Sequence, residues 1–441
     1  MSPRQLIVKL LDRFERTDAY ADLLLDQELK KNKVNPKDSA LIQEIFFGVI
    51  RWRNRLNWII KHLYQGSLKK APRFVGHILH ISIYQLIFLD NIPDYAVINE
   101  AVAIAKSKGS VYWGKKINAI LRIFQQNQYA IPLPDRTKNP TEYIAVKYSH
   151  PEWMVKRWIK RWDEEETISL CEFNNKNPKL SLRVNSLKAK TKEVLKLLAA
   201  QNYPATRSPY IENFLLAEKL PELSQFEPFQ HGLFSIQDVS AGLACKLLDP
   251  QPEDTIIDLC SAPGGKATFI AELTGGGASI IAVDRNYSRL KLVRQNCTRL
   301  ELNSIFPVQA DGIRFNCKNI NKIILDAPCS GLGVLAKRVD LRWKRTTEQI
   351  QELSQLQRKL IYNTANLLNP GGVLVYCTCT IEPEENERII EQFLAENKNF
   401  EIQPASEFVP KETTDSNGFI YTFPHRHGID GSFAARLVRV P

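Results

Sequence analysis

Residues 255–266 read Thr-Ile-Ile-Asp-Leu-Cys-Ser-Ala-Pro-Gly-Gly-Lys, a β-branched, apolar run that leads straight into a glycine turn. Residues 267–273, Ala-Thr-Phe-Ile-Ala-Glu-Leu, follow with the composition of a helix. A strand, a glycine turn and a helix in this order bring backbone N–H groups against a nucleotide-like ligand at the carboxyl end of the strand. The stretch therefore predicts an α/β domain that holds such a ligand.

Two phosphate-binding motifs are excluded at this turn. A Walker loop needs Gly five residues before its Gly-Lys pair and Ser or Thr directly after it, but Cys260 and Ala267 occupy these positions. The dinucleotide pattern Gly-x-Gly-x-x-Gly is also absent. A nucleoside without a polyphosphate fits best, which predicts S-adenosylmethionine.

Acidic residues at successive strand ends support a nucleoside site. Asp284 ends the run 279–284, about 20 residues beyond the turn, where a carboxylate accepts both ribose hydroxyls. Asp311 follows another run and is placed to accept from the adenine amino group. One such Asp alone would indicate a helix cap or a turn, but together with Asp258 and Asp326 they favour a site. The predicted cofactor contacts are Cys260, Ser261, Ala262, Pro263, Gly264, Gly265, Lys266, Asp284, Asp311 and Asp326. Lys266 is either such a contact or a solvated lysine at a helix start.

Cysteines follow two further strands. The run 322–325 leads into Asp-Ala-Pro-Cys-Ser at 326–330, and the run 373–376 leads into Cys-Thr-Cys-Thr at 377–380. Because open α/β sheets bind ligands at the carboxyl ends of their strands, thiolate chemistry is expected there. Small buried packing is the alternative for any cysteine. Cys377 and Cys379 are two residues apart on one face of an extended strand, so spacing does not choose between them.

Three motifs resemble those of the RNA cytosine-C5 methyltransferases of the RsmB/Sun/NOL group. They are Cys-Ser-Ala-Pro-Gly-Gly-Lys at 260–266, Asp-Ala-Pro-Cys-Ser-Gly at 326–331 and Thr-Cys-Thr-Ile-Glu-Pro-Glu-Glu-Asn-Glu at 378–387. The resemblance covers nearly the whole chain and includes residues 182–185, 237–238, 340–343 and 430–436. Ser261 stands where the family usually has Ala, which is a conservative departure.

The resemblance implies S-adenosylmethionine-dependent methylation of carbon 5 of a cytosine in 16S ribosomal RNA, namely cytosine 967. It implies that Cys379 is the nucleophile, that Cys329 assists release of the finished adduct, and that Cys377, where the family often has Ser, is packing. Asp326 is placed to hydrogen-bond the base. A transfer-RNA cytosine-C5 methyltransferase shares these motifs, and a non-catalytic RNA-binding or antitermination factor could retain the scaffold. The two cysteines, the glycine turn and the acids argue against the non-catalytic alternative.

The chain is expected to be multidomain. Residues 1–130 show helical periodicity and resemble the NusB-like RNA-binding bundle at 47–51 and 118–122. The proline-containing stretch 131–145 is predicted to be a linker. Residues 146–235 are expected to form a small α+β module, helical first and then strand, helix and strand. Residues 236–441 are expected to form the Rossmann-like α/β methyltransferase domain.

The net charge of +11 is unevenly distributed. Through residue 145 there are 22 Lys and Arg against 13 Asp and Glu, and the remaining residues carry only +2. Basic clusters interleaved with Trp52, Trp58 and Tyr64 predict RNA phosphate binding, and a solvated lysine-rich face is the alternative. The predicted RNA-binding residues are Arg51, Arg53, Arg55, Lys61, Lys69, Lys70, Arg73, Lys115 and Lys116.

Cysteine and apolar patterns bear on the compartment. Eight cysteines over 441 residues lack both C-x-x-C and Cys/His zinc spacing, which argues against a disulfide scaffold and a structural zinc. Residues 1–30 lack a secretory apolar region, and no apolar run is long enough to span a bilayer. We expect a cytoplasmic monomer that acts on ribosomal RNA, without a metal and without a membrane.

Overall fold

Helices make up the first of two units. The computed structural model describes residues 1–64, 70–127 and 131–440; one unit contains residues 1–175 and 338–344, and the other contains 176–337 and 345–441. The helices before residue 176 are α1 (Pro3–Arg16), α2 (Ala21–Asn32), α3 (Pro36–Arg51), α4 (Arg53–Leu63), α5 (Arg73–Phe88), α6 (Asp94–Ser107), α7 (Val111–Asn127), α8 (Pro140–Lys147), α9 (Glu152–Arg161) and α10 (Glu164–Asn175).

Local signals in the sequence begin these helices. Ser2 and Gln5 form a capping box at α1, in which each side chain accepts from the backbone N–H of the other residue at 3.0–3.3 Å. The apolar stripe of α1 is buried, as helical periodicity requires. The helical bundle predicted for the N-terminal region is confirmed.

The predicted linker 131–145 is shorter in the structure. The Asn139 side chain accepts from the backbone N–H of Glu142 at 3.1 Å, and Pro140 occupies the first helical position, where its missing N–H costs no hydrogen bond. Residues 140–145 are therefore helical, and irregular backbone covers 131–139. Helices α9 and α10, which lie in the range predicted for the small module, group with the first unit, whose main part ends at residue 175.

Residues 338–344 also belong to the first unit. A carboxylate oxygen of Asp340 accepts from the backbone N–H of Ala21 at 3.1 Å, at the start of α2. The fully buried guanidinium of Arg342 donates to the backbone carbonyl of Asn174 at 3.0 Å. The first unit therefore includes a segment that follows the Asp-Ala-Pro-Cys-Ser-Gly motif at 326–331 in the chain.

The second unit contains two sheets. In chain order the strands and helices after residue 176 are β1 (Leu180–Val184), α11 (Thr191–Ala200), β2 (Ala205–Arg207), β3 (Phe214–Ala217), α12 (Glu227–Gln230), β4 (Phe234–Ile236), α13 (Val239–Leu247), β5 (Thr255–Leu259), α14 (Gly265–Leu273), β6 (Ser279–Asp284), α15 (Tyr287–Leu300), β7 (Ile305–Gln309), β8 (Ile320–Asp326), α16 (Leu341–Lys344), α17 (Thr347–Leu367), β9 (Leu368–Thr378), α18 (Glu387–Glu396), β10 (Phe400–Gln403), β11 (Ile420–Thr422), α19 (Pro424–His427) and β12 (Ser432–Arg439). One of these helices, α16, belongs to the first unit, and the other elements belong to the second.

The smaller sheet is antiparallel and has the order β2-β3-β1-β4. The larger sheet has the order β10-β12-β9-β8-β5-β6-β7, and β11 pairs with β12. Strands β5 to β9 pair in parallel, whereas β12 is antiparallel to β9. The central parallel strands β5, β6, β8 and β9 are mostly buried apolar runs, as expected for strands covered on both faces, whereas the edge strand β7 is largely open. The predicted α+β module and Rossmann-like sheet are confirmed, and β5, β6, β8 and β9 present their carboxyl ends at one edge.

Some arrangements are absent from the part of the chain that the structure describes. No helix there is both long and apolar enough to cross a membrane. No group of three or more His, Cys, Asp or Glu side chains is arranged to hold a metal ion. All eight cysteines are free thiols.

Candidate active site

The glycine turn after β5 has a fixed conformation. The Ser261 hydroxyl donates to the buried carboxylate of Asp258 at 2.7 Å, and the Gly264 N–H donates to the Ser261 carbonyl at 2.7 Å. Gly264 has a φ of +92°, and a Cβ there would lie 3.1 Å from Val293. Both the backbone angle and the space require glycine at this position.

Asp284, at the end of β6, is oriented by backbone donors. One carboxylate oxygen accepts from the N–H of Ala262 at 3.2 Å, and the other accepts from the N–H of Asn286 at 2.8 Å. A carboxylate oxygen has more than one lone pair, so each oxygen keeps capacity for a further donor such as a ribose hydroxyl. The two backbone donors therefore hold the Asp284 carboxylate in one orientation.

A cavity of ≈ 260 Å³ lies at the carboxyl ends of β5, β6 and β7. Three of the predicted cofactor contacts, Cys260, Asp284 and Asp311, line this cavity. Residues 261–266 and Asp326 do not line it. The other lining residues are Leu259, Val283, Arg285, Asn286, Arg289, Ala310, Gly312, Pro328, Leu356 and Leu360. Apolar walls suit a flat base and the two carboxylates suit hydroxyl and amino donors, so the residues present fit an adenosine moiety.

Several of these lining residues were not predicted from the sequence. Leu356 and Leu360 come from α17, about 100 residues after the glycine turn. In the sequence they belong to an ordinary amphipathic helix, and nothing local distinguishes them from core positions. Their place in the cavity depends on how α17 lies on the sheet.

Lys266 and Asp326 form an ion pair. Their Nζ and carboxylate oxygen are 2.7 Å apart, and the Lys266 side chain is only 14% exposed. Burial disfavours the ammonium, but the Asp326 carboxylate outweighs it and raises the pKa of Lys266 well above its ordinary value. Lys266 is therefore an enclosed partner of Asp326 and not a solvated lysine.

Cys329 and Cys379 lie side by side. Strands β8 and β9 are parallel neighbours, and the two sulfurs beyond their ends are 3.3 Å apart. Cys379 is exposed and Cys329 is half-buried. The hydrogen bond with Cys379, and then burial, raise the pKa of Cys329 well above its ordinary value. Both effects favour the protonated thiol of Cys329.

Cys377 differs from Cys379 in its surroundings. Its buried sulfur donates to the carbonyl of Leu325 at 3.5 Å, and burial raises the pKa of its thiol well above the ordinary value. The strand ends at Thr378, so the next residue leaves the sheet toward solvent. The structure therefore separates two cysteines that spacing left equivalent.

The loop of Cys379 is held on both sides. The Thr378 hydroxyl donates to the Asn386 side-chain carbonyl at 2.6 Å, and the Asn386 amide donates to the Thr380 carbonyl at 3.0 Å. The N–H of Gly333 donates to the Cys379 carbonyl at 3.1 Å. These bonds hold the backbone of Cys379 in place while its side chain stays exposed.

Some of the predicted RNA-binding residues turn inward in the first unit. Burial lowers the pKa of both Arg51 and Arg55, which are half-buried. Arg53 pairs with Glu15 at 3.2 Å. These three guanidinium groups therefore take part in the structure of the helical unit.

The other predicted RNA-binding residues are more open. Lys116 is half-buried, and its Nζ lies over the rings of Tyr64 and Trp113, 4.4 and 5.4 Å from their centroids. Lys69 lies outside the described residues. The exposed members are Lys61, Lys70, Arg73 and Lys115.

Family models match three parts of the chain. Residues 245–438 match a model described as 16S rRNA methyltransferase RsmB/F, and residues 1–126 match the NusB family. Residues 150–221 match a model described as Methyltr_RsmF/B-like, ferredoxin-like domain. This last match begins before α9, although α9 and α10 group with the first structural unit.

Whole chains are similar as well. The protein named Probable ribosomal RNA small subunit methyltransferase B from Synechocystis sp. is 36% identical, with 99% of each chain covered. The crystal structure of PH0851 is 27% identical, with a TM-score of 0.83 and 99% of each chain covered. The structure of NSun6 from Pyrococcus horikoshii with SFG is 25% identical, with a TM-score of 0.61, and covers 66% of this chain and 98% of that one. The chain belongs to the RsmB/F family and is an S-adenosylmethionine-dependent RNA methyltransferase.

Proposed function

We propose that the chain methylates carbon 5 of a cytosine in 16S ribosomal RNA, at cytosine 967, through a covalent bond between Cys379 and carbon 6 of the base. The RNA target rests on the resemblance and on the name of the Synechocystis relative. The observation that supports the covalent route is the 3.3 Å separation of the Cys329 and Cys379 sulfurs. Eight free thiols remain consistent with the expected cytoplasmic setting.

Cys379 is suited to be the nucleophile because it is the exposed member of the pair. Carbon 5 of cytosine is a weak nucleophile. Addition of the Cys379 thiolate to carbon 6 moves electron density to carbon 5, the state in which carbon 5 accepts a methyl group. Covalent attachment thus divides one difficult step into easier ones.

Cys329 is suited to the release step. After methylation, carbon 5 loses its proton to a base, the C–H electron pair restores the ring double bond, and the carbon–sulfur bond breaks with its pair on Cys379. The S–H of Cys329, 3.3 Å from the departing sulfur, stabilises the thiolate as it forms. Its raised pKa keeps the proton available for this purpose.

Asp326 and Lys266 form the polar part of the base site. The Asp326 carboxylate accepts from the cytosine amino group or a protonated ring nitrogen, and Lys266 at 2.7 Å neutralises the local negative charge. Asp284 and Asp311 would hold the ribose and adenine of S-adenosylmethionine in the ≈ 260 Å³ cavity. When bound, this cofactor supplies an electrophilic methyl group on a positively charged sulfur.

Three cysteine variants test the mechanism. Cys379→Ala should abolish methyl transfer and leave cofactor binding nearly unchanged, while Cys377→Ala, two residues away and buried, is the matched control and should remain active. Cys329→Ala should stall elimination and leave protein covalently joined to RNA on a denaturing gel. If the Cys379 variant stayed active and the Cys377 variant were inactive, Cys377 and not Cys379 would be the nucleophile.

The target needs a separate experiment. Bisulfite sequencing of ribosomal and transfer RNA from cells with and without the gene should show one cytosine in small-subunit ribosomal RNA that loses its methylation. If a transfer-RNA cytosine lost its methylation while ribosomal RNA stayed unchanged, the proposed RNA target would be wrong, but cytosine-C5 methylation would still be the reaction.

A further inference from the structure

A hydroxyl residue follows each of the two cysteines, and the two hydroxyls meet. Ser330 follows Cys329 and Thr380 follows Cys379, and their side-chain oxygens are 2.8 Å apart. Both residues are completely buried. This contact therefore links the two cysteine loops one residue beyond the sulfur pair.

Glu385 determines the direction of this link. Its carboxylate accepts from the backbone N–H of Ser330 at 2.8 Å and from the Ser330 hydroxyl at 2.5 Å. Because Ser330 has one hydroxyl proton and gives it to Glu385, the Ser330 oxygen must accept the proton of Thr380. The Thr380 oxygen in turn accepts from the N–H of Glu382 at 3.3 Å.

The same carboxylate also reaches the residue before Cys329. Gln357 donates to Glu385 at 3.0 Å and to the carbonyl of Pro328 at 2.9 Å. The Tyr376 hydroxyl donates to the Glu385 carbonyl at 2.6 Å and ties the Glu385 backbone to β9. Glu385 thus holds the Cys329 loop on both sides of the cysteine.

Burial of this carboxylate is costly. Glu385 is fully buried, and burial raises its pKa above the ordinary value. Its partners within the described residues are neutral hydrogen-bond donors, so no cation offsets the loss of hydration. Satisfied buried polar networks specify one arrangement of the groups that they join.

We propose that Glu385 is a positioning residue for adduct release, which sets the Cys329 thiol against the Cys379 sulfur through Ser330 and Thr380. This inference rests on the proposed function, in which Cys379 carries the base and Cys329 assists its departure. Loss of the brace should spare the first methylation, because Cys379 has its own backbone support. It should slow elimination, because a misplacement of about 1 Å at a reacting group costs up to about a hundredfold in rate.

The test compares Glu385→Gln and Ser330→Ala with Cys329→Ala. Glu384→Gln is the matched control, since it is the same substitution one residue away, on a side chain that faces Arg388 at 3.4 Å. First-turnover methylation, steady-state turnover, denaturant-resistant RNA adduct and cofactor binding are measured for each. We expect Glu385→Gln and Ser330→Ala to turn over about tenfold or more slowly and to accumulate adduct that disappears when Cys379→Ala is added.

The outcomes separate this inference from the function on which it rests. If Cys329→Ala accumulates adduct while both network variants turn over like the parent, Glu385 has no positioning role. If Cys329→Ala forms no adduct and Cys379→Ala stays active, the covalent mechanism itself fails. If Glu385→Gln and Ser330→Ala both lose cofactor binding, the network serves only the fold and the proposal is overturned.

Discussion

At the scale of single residues, Asp258 shows how burial changes the chemistry under the cofactor turn. It is completely buried, and burial raises the pKa of its carboxyl to about 7. Hydrogen bonds from the Ser261 hydroxyl and from the backbone N–H of Ala267 favour the charged form, but burial outweighs them. Because desolvation disfavours the charged form, folding favours the protonated acid.

A pH dependence of stability follows for Asp258. The unfolded carboxyl has a pKa of about 3.9, so between that value and about 7 the folded chain binds more protons than the unfolded chain. Stability from this group is therefore present at low pH and is lost as the pH rises through about 7. Asp258→Asn cannot ionise, and its stability relative to the parent should increase by about 2–3 kcal/mol between pH 5 and pH 8.

Hydrogen exchange of the β5 amides, measured in both proteins across this range, checks the Asp258 prediction. The fixed cost of the asparagine amide cancels, because only the change with pH is compared. A stability difference that stays constant from pH 5 to pH 8 would mean that Asp258 does not titrate near neutrality.

At the scale of elements, two helix glycines have opposite surroundings. Gly48 in α3 faces Tyr84 in α5, and a Cβ at Gly48 would lie 2.0 Å from the tyrosine ring. Tyr84 is buried, and its hydroxyl donates to Glu44 at 2.6 Å, so the ring has little freedom to move. A Cβ at Gly76 in α5 would meet no atom within 4 Å, so this position is open to substitution.

Alanine at these two glycines should change stability in opposite directions. Gly76→Ala should stabilise the helical unit by about 0.5–1 kcal/mol, because alanine is the better helix former. Gly48→Ala should destabilise it by about 1–3 kcal/mol, because the methyl group displaces Tyr84. All seven tryptophans lie in the first unit, so tryptophan fluorescence during urea unfolding reports on it. A shift in the same direction for both variants would contradict the packing of α3 on α5.

At the scale of the whole molecule, the basic surplus of the N-terminal region divides between structure and surface. Arg51, Arg53 and Arg55 are engaged within the first unit, whereas Lys61, Arg73 and Lys115 are exposed. Deletion of the N-terminal region would not isolate this charge, because residues 338–344 belong to the same unit and would lose their partners. Substitution of exposed basic residues changes the charge without removing the partners of residues 338–344, so it tests the role of the charge better than a deletion does.

Neutralisation of exposed charges should change the salt dependence of RNA binding. Replacement of Lys61, Arg73 and Lys115 by Gln should lower the slope of log affinity against log salt by about 2–3, since each phosphate contact contributes about 0.7–0.9. Lys30, Lys31 and Lys37, also exposed in this unit, give a control with the same loss of charge. Equal slopes for the two triple variants would mean that the predicted basic residues are ordinary solvated surface.

The sequence alone determined the features that depend on short-range patterns. Apolar periodicity predicted the N-terminal helices and the parallel strands, and the glycine turn with Asp284 and Asp311 predicted three residues of the cavity. The motif at 326–331 and the Thr-Cys pair at 378–379 predicted two thiols at one sheet edge. These features can be predicted from the sequence because a turn, a helix start or a strand end depends on residues that are close in the chain.

Only the tertiary structure decided which groups from distant segments meet. Burial distinguished Cys377 from the exposed Cys379, and Lys266 formed an ion pair with Asp326. Helix α17 contributed Leu356 and Leu360 to the cavity. The brace from Glu385 to Ser330 joins residues 55 positions apart, and residues 338–344 group with the first unit instead of with their sequence neighbours. Local periodicity carries no information on such contacts, because they depend on strand order and on which helix covers which face of the sheet.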